Sequence, residues 1–154
     1  MVRESSARSV PGECGTAQPA GAAPLKEANL QIDDFYGPAT LIAGVSGTYE
    51  VQVENSGDGP ASLELFIIFT GAIEQTGRIV APGLDCEVRH DEGINGAVRC
   101  TKPVFEPGEQ VSVFVQGRGQ AAGTGKIGAV LNPHRSAAEA DYDDNNETRT
   151  VTIQ

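Results

Sequence analysis

From residue 28 onward, apolar and polar positions alternate with a period of two, the spacing of a strand that buries one face. Leu30 and Ile32 open this pattern, and the run stops at Asp33-Asp34. Thr48 to Asn55 is the clearest case. Tyr49, Val51 and Val53 fall on one face, with Glu50, Gln52 and Glu54 on the other. Residues 62–69 (S-L-E-L-F-I-I-F) begin with alternation and pass into a buried run. Val111, Val113 and Val115 share a face, as do Ile127, Ala129 and Leu131, and then Val151 and Ile153. The predicted core comprises Leu30, Ile32, Tyr49, Val51, Val53, Leu65, Ile67, Phe69, Val111, Val113, Val115, Ile127, Leu131 and Val151.

Turn chemistry separates these runs: Gly44, Gly57-Asp58-Gly59, Pro82-Gly83, Gly93-Ile94-Asn95-Gly96, Pro107-Gly108 and the glycine-rich stretch 117–125. Helical periodicity is nearly absent, with at most a single turn at residues 134–140. No internal repeat is present, so one domain uses the whole of residues 28–154. The expected fold is all-β, an Ig-like antiparallel β-sandwich of about seven to nine strands.

Residues 1–27 read differently. Their apolar content is Val2, Val10, Leu25 and small alanines, broken by Pro11, Pro19 and Pro24. Such a stretch buries too little surface to offset its ordering entropy. It is expected to be a flexible or partner-docked N-terminal tail. No apolar leader core follows Met1, which leaves two alternatives: the protein is not exported by that route, or a leader has been removed.

Charge narrows the function classes. The 154 residues carry 21 Asp+Glu against 11 Lys+Arg, a net charge of −10. The tail balances Arg3, Arg8 and Lys26 against Glu4, Glu13 and Glu27, so the excess belongs to the sandwich. That surface repels polyanions and argues against nucleic-acid binding. No apolar run reaches the roughly 18 residues of a membrane-spanning helix, so membrane insertion is not expected.

Three stretches carry a family resemblance. They are Ala43-Gly44 with the strand ending in Asn55-Ser56-Gly57, the turn Phe105-Glu106-Pro107-Gly108-Glu109, and the acidic ending Glu139 to Thr148. In this order they resemble the cell-adhesion-related domain family (CARDB) and related bacterial extracellular Ig-like repeats. The resemblance spans about residues 28–154, and the tail 1–27 has no counterpart in the module. It implies an Ig-like fold and a spacer or interaction role at a cell surface, with no reaction.

Cys86 and Cys100 flank a candidate hairpin, C-E-V-R-H and A-V-R-C around Asp91–Gly96, and some relatives carry a similar pair. Two alternatives stand: a disulfide, which belongs in an oxidising compartment, or two reduced thiols packed in the core. Cys14 is the odd cysteine. A free thiol or an intermolecular crosslink fits it better than a lipid anchor, because Pro11-Gly12-Glu13 is a poor lipoprotein cleavage site.

Other candidate chemistry is weaker. Glu139, Asp141, Asp143, Asp144 and Asn145 offer the oxygen ligands a calcium ion prefers. Asn146 and Thr152, however, stand where an EF-hand loop needs its turn glycine and bidentate glutamate, so a solvated turn competes with calcium binding. Gly119–Ile127 lacks the first glycine and the Ser/Thr of a phosphate loop and reads as a mobile glycine-rich connection. His90 and His134 have no zinc-ligand spacing. No G-x-S-x-G elbow is present, and with no Trp and three Tyr a sugar-stacking cleft is not expected. No catalytic residue and no cofactor is predicted, apart from the calcium alternative. Asn146-Glu147-Thr148 is a glycosylation sequon that would carry nothing in a bacterial source.

The leading functional expectation is a non-enzymatic extracellular or cell-surface module, a spacer or protein-interaction domain with a protein or neighbouring domain as partner. The alternatives are a structural or decoration subunit of an intracellularly assembled particle, a virion or enzyme complex, docking through its tail, and a calcium-binding adhesin module. Sandwich edges can pair between chains, so the oligomeric state stays open.

Overall fold

A computed structural model describes residues 27–132 and 146–154 of the chain. These residues form ten strands. They are β1 (Leu30–Tyr36), β2 (Thr40–Leu41), β3 (Ser46–Asn55), β4 (Ala61–Gly71), β5 (Ile73–Val80), β6 (Asp85–Arg89), β7 (Ala97–Phe105), β8 (Gln110–Gly119), β9 (Gly123–Leu131) and β10 (Asn146–Ile153). Six build the larger sheet, in the order β2-β10-β9-β4-β7-β6, and four the smaller, β1-β3-β8-β5. All pairings are antiparallel except β10 with β2, where Thr152 lies opposite Thr40. The expected all-β sandwich is present. Its strand count exceeds seven to nine because the two-residue β2 and the weakly apolar β5 also pair.

Alternation places the core. Tyr49, Val51 and Val53 of β3 and Val113 and Val115 of β8 are buried on the inner face of the smaller sheet. Leu63, Leu65, Ile67 and Phe69 of β4 pack with Ile127, Ala129 and Leu131 of β9 on the inner face of the larger. Two predicted core residues, Ile32 and Val111, are only partly buried against this cluster.

The first strand runs further than its pattern implied. A bulge between Ile32 and Asp34 shifts the pairing with β3, and β1 continues to Tyr36 with Phe35 buried. The extra residue switches which face points inward. Strict alternation breaks at Asp33-Asp34, although the strand does not.

The glycine-rich stretch is also strand. Gly119 closes β8, and β9 begins at Gly123, so only residues 120–122 connect them. This corrects the expectation of a mobile connection. Gly117, Gly119 and Gly125 face the core because larger side chains fill the space beside them. A Cβ on Gly125 would lie 2.6 Å from Cγ2 of Ile73, and one on Gly117 2.8 Å from its Cδ1. Ile73 is fully buried and needs both gaps.

Two buried asparagines join the ends of strands. The Asn55 side-chain nitrogen donates to the carbonyls of Gly59 and Phe105, at 2.9 and 3.1 Å. Its side-chain oxygen accepts from the amides of Asn29 and Gly57, at 3.1 and 3.0 Å. Its backbone amide donates to Glu109 and its carbonyl accepts from Gly108. Asn132, at a φ of 42°, accepts from the Glu64 amide at 2.8 Å and donates to the Ser62 carbonyl.

The Glu106–Glu109 segment is a type II turn, with Pro107 and a positive-φ Gly108 at its centre and the Glu109 amide donating to Glu106. The Lys102 ammonium beside Glu109, helped by the Glu106 amide, holds the Glu109 carboxyl below the usual carboxylate range. On the opposite side of the sandwich, Arg149 of β10 donates to the carbonyls of Phe35 and Gly37 and so ties the two sheets together. The nearby Tyr49 hydroxyl donates to Pro38 at 2.8 Å.

Replacing Asn55 by Ala leaves buried amides and carbonyls from three segments unpaired. Asn55→Ala is expected to destabilise the fold by about 2–4 kcal/mol. In urea unfolding the midpoint should drop with an unchanged slope. A midpoint shift no larger than that of an exposed-site control would refute the role given to Asn55.

Candidate interaction surface

The hairpin β6–β7 is the part of the fold where the sequence had placed possible chemistry. Its register sets Asp85 opposite Thr101, Cys86 opposite Cys100, Glu87 opposite Arg99, Val88 opposite Val98 and Arg89 opposite Ala97. Cys86 and Cys100 are joined by a disulfide. Cys100 is fully buried while Cys86 sits at the sheet edge, partly exposed. The bridge therefore fastens an edge strand with few buried side chains of its own to the core.

The opposite face of the hairpin is charged. Arg99 sits between Glu64 of β4 at 2.8 Å and Glu87 of β6 at 3.3 Å. The hydrogen bond that Arg99 donates to Glu64, and after it the one to Glu87, favours the charged guanidinium. The two ion pairs span three adjacent strands, but Glu87 is well exposed and its share in stability is small.

Next to this row, the outer face of the larger sheet turns apolar. Phe66, Ile68, Ile94 and Ala97 line an open concavity of about 360 Å³, with Arg89 and Asp91 at its rim. The loop that carries Ile94 is held by Asn95. Its amide donates to Phe69, and its side chain donates to the carbonyls of Gly71 and Ile73 at 2.6 and 3.0 Å. This surface offers apolar contact and two charges of opposite sign, and it brings no nucleophile beside a base.

Of the residues singled out from the sequence, the structure brings together Cys86 and Cys100. Glu139, Asp141, Asp143, Asp144 and Asn145 lie outside the described residues, as do Cys14, His134, the predicted turn at 134–140 and residues 1–26 of the tail. Asn146 and Glu147 belong to β10 rather than to a turn before it. His90 is exposed just after β6. Among the described residues no group of three or more His, Cys, Asp or Glu side chains is placed to hold a metal ion. The Glu64–Arg99–Glu87 row was not foreseen. Its only sequence signal is one charged outward position on each of three strands whose inward positions are apolar.

The two-sheet arrangement of strands has counterparts among solved structures. The crystal structure of the CARDB domain of the PF1109 protein from Pyrococcus furiosus, in complex with di-metal ions, matches 86% of this chain and 95% of its own, with a TM-score of 0.61 and 16% identity. The solution NMR structure of the CARDB domain of PF1109 matches 84% and 97%, with a TM-score of 0.56 and 15% identity. The chain folds as a CARDB-like domain. No protein-family model and no curated protein matches it in sequence. The likeness therefore rests on strand arrangement, at an identity where fold alone carries over.

For the CARDB-like domain the disulfide is expected to act locally. Loss of the bridge, by reduction or by Cys86→Ser with Cys100→Ser, should lower stability by about 3 kcal/mol for a loop of this size. Amide exchange should accelerate most in β6 and leave β3 and β8 close to the wild-type order of protection. Uniform acceleration across the sandwich would show that β6 is not an independently opening edge.

Proposed function

We propose that this CARDB-like domain is a non-enzymatic extracellular or cell-surface module, serving as a spacer or protein-interaction domain with a protein or a neighbouring domain as its partner. The observation that carries the reading is the Cys86–Cys100 bridge between paired strands. Disulfides of this structural kind persist in oxidising compartments and are rare where thiols are kept reduced. The acidic surface supports it too, since a net charge of −10 favours solubility and disfavours polyanionic partners.

A count of free thiols on unreduced protein from its native source tests the compartment. Intact mass after alkylation should show one modified thiol, mapping to Cys14. Three modified thiols would place the chain in a reducing environment and remove the extracellular reading.

One observation favours a metal-dependent form of the same role: the CARDB domain of PF1109 was solved in complex with di-metal ions. In this chain Glu139, Asp141, Asp143, Asp144 and Asn145 supply the oxygen-rich set suited to calcium. Calcium calorimetry should then give saturable heat together with a higher melting temperature. Absence of both would leave the module metal-free.

A further inference from the structure

The larger sheet ends at β6, and among the described residues nothing pairs with the outer side of that strand. Asp85, Glu87, Val88 and Arg89 are all exposed. The Cα atoms of Cys86 and Cys100 are 4.1 Å apart, the narrow spacing of a pair that does not exchange backbone hydrogen bonds. The amide and carbonyl of Cys86 therefore point away from β7, and by the period of two so do those of Val88. Two residues of the edge thus present donors and acceptors that no described residue takes.

The strand reads D-C-E-V-R. We propose that β6 is a self-recognition edge that pairs antiparallel, about a two-fold axis at Glu87, with β6 of a second copy of this chain. In this register Cys86 of each copy lies opposite Val88 of the other, which matches the outward backbone groups of both. Asp85 lies opposite Arg89 at both ends, in the close-spaced pairs where side chains interact most strongly. Neither Asp85 nor Arg89 has an ion-pair partner among the described residues, so both are free to form these contacts. At the centre Glu87 meets Glu87, and the repulsion is moderated by the Arg99 that each carboxylate already touches at 3.3 Å.

Sliding the partner by two residues one way keeps the hydrogen bonding and sets Glu87 against Arg89, but it also sets Asp85 against Asp91 at both ends. Sliding it the other way sets Asp85 against Glu87 at both ends. The charge pattern thus favours the register centred on Glu87, which has one like-charge pair instead of two. The disulfide holds β6 in the shape the pairing needs. A five-residue edge makes a small interface, so the dimer is weak and concentration-dependent. The net charge of −10 on each copy works against it unless salt screens the surfaces.

Sedimentation velocity across a concentration series, at physiological salt and on unreduced full-length chain with Cys14 alkylated, reads the equilibrium directly. Wild type should shift from monomer to dimer toward millimolar concentration. Asp85→Arg and Arg89→Asp should each weaken the dimer about tenfold or more, since each turns both attractive pairs into like-charge pairs. The double variant carrying both changes should restore it, and Glu87→Gln should strengthen it. Amide exchange at Cys86 and Val88 should slow as concentration rises. A wild type that stays monomeric throughout overturns the proposal, as does a dimer indifferent to the single variants or not rescued by the double one. Rescue cannot come from a misfolded chain, so the double variant guards against variants that merely unfold.

Discussion

Asn55 fixes one of the places where hydrogen bonds join the two sheets, and Arg149 fixes another. Hydrophobic burial brings β3 and β4 together but does not fix where the chain leaves one sheet for the other. The Asn55 amide makes four hydrogen bonds to main-chain groups of the β1 entry, the 57–59 turn and the end of β7. Each would otherwise be a buried polar group with no water to satisfy it. Side-chain donors and acceptors are matched in number, which an aspartate or leucine at this site would not achieve. The position of the Pro107-Gly108 turn, and with it the register of β8, follows from the backbone pair that Asn55 makes with Gly108 and Glu109.

The strands most open to reading from sequence were those with a full period of two and one buried face. β3, β8 and β9 meet that condition, and their inward side chains Tyr49, Val51, Val53, Val113, Val115, Ile127 and Leu131 were foreseen. The hairpin of Cys86 and Cys100 was foreseen as well, because its two arms mirror one another about a glycine-bearing loop. What escaped has three physical origins. A bulge at Ile32–Asp34 reverses the inward face of β1, so Phe35 falls outside the period of two set by Leu30 and Ile32. β5 is an edge strand that buries mainly Ile73, too little for a periodic signal. Gly117, Gly119 and Gly125 look like turn residues, although they are strand positions whose missing side chains make room for a neighbour.

The surface was harder to read than the core. Glu64, Arg99 and Glu87 lie 35 and 12 residues apart in the chain. Only the sheet order β4-β7-β6 brings them into one row. The same holds for the groove of Phe66, Ile68 and Ile94, since outward apolar residues on β4 give the same alternating pattern as inward ones. Position on a sheet, rather than residue type, decides which becomes surface.

The last strand has a mechanical consequence. β10 is held between β9, along its whole length from Asn146 to Ile153, and the short parallel β2. Beyond the strand, the Gln154 amide donates to Leu41 and its carbonyl accepts from Ala43. A pull on Gln154 along the strand axis loads the bonds to both neighbours in shear, and they must yield together. A pull across the sheet at β6 would instead open its single ladder one bond at a time. The same sandwich is therefore stiff along its C-terminal strand and compliant at its free edge.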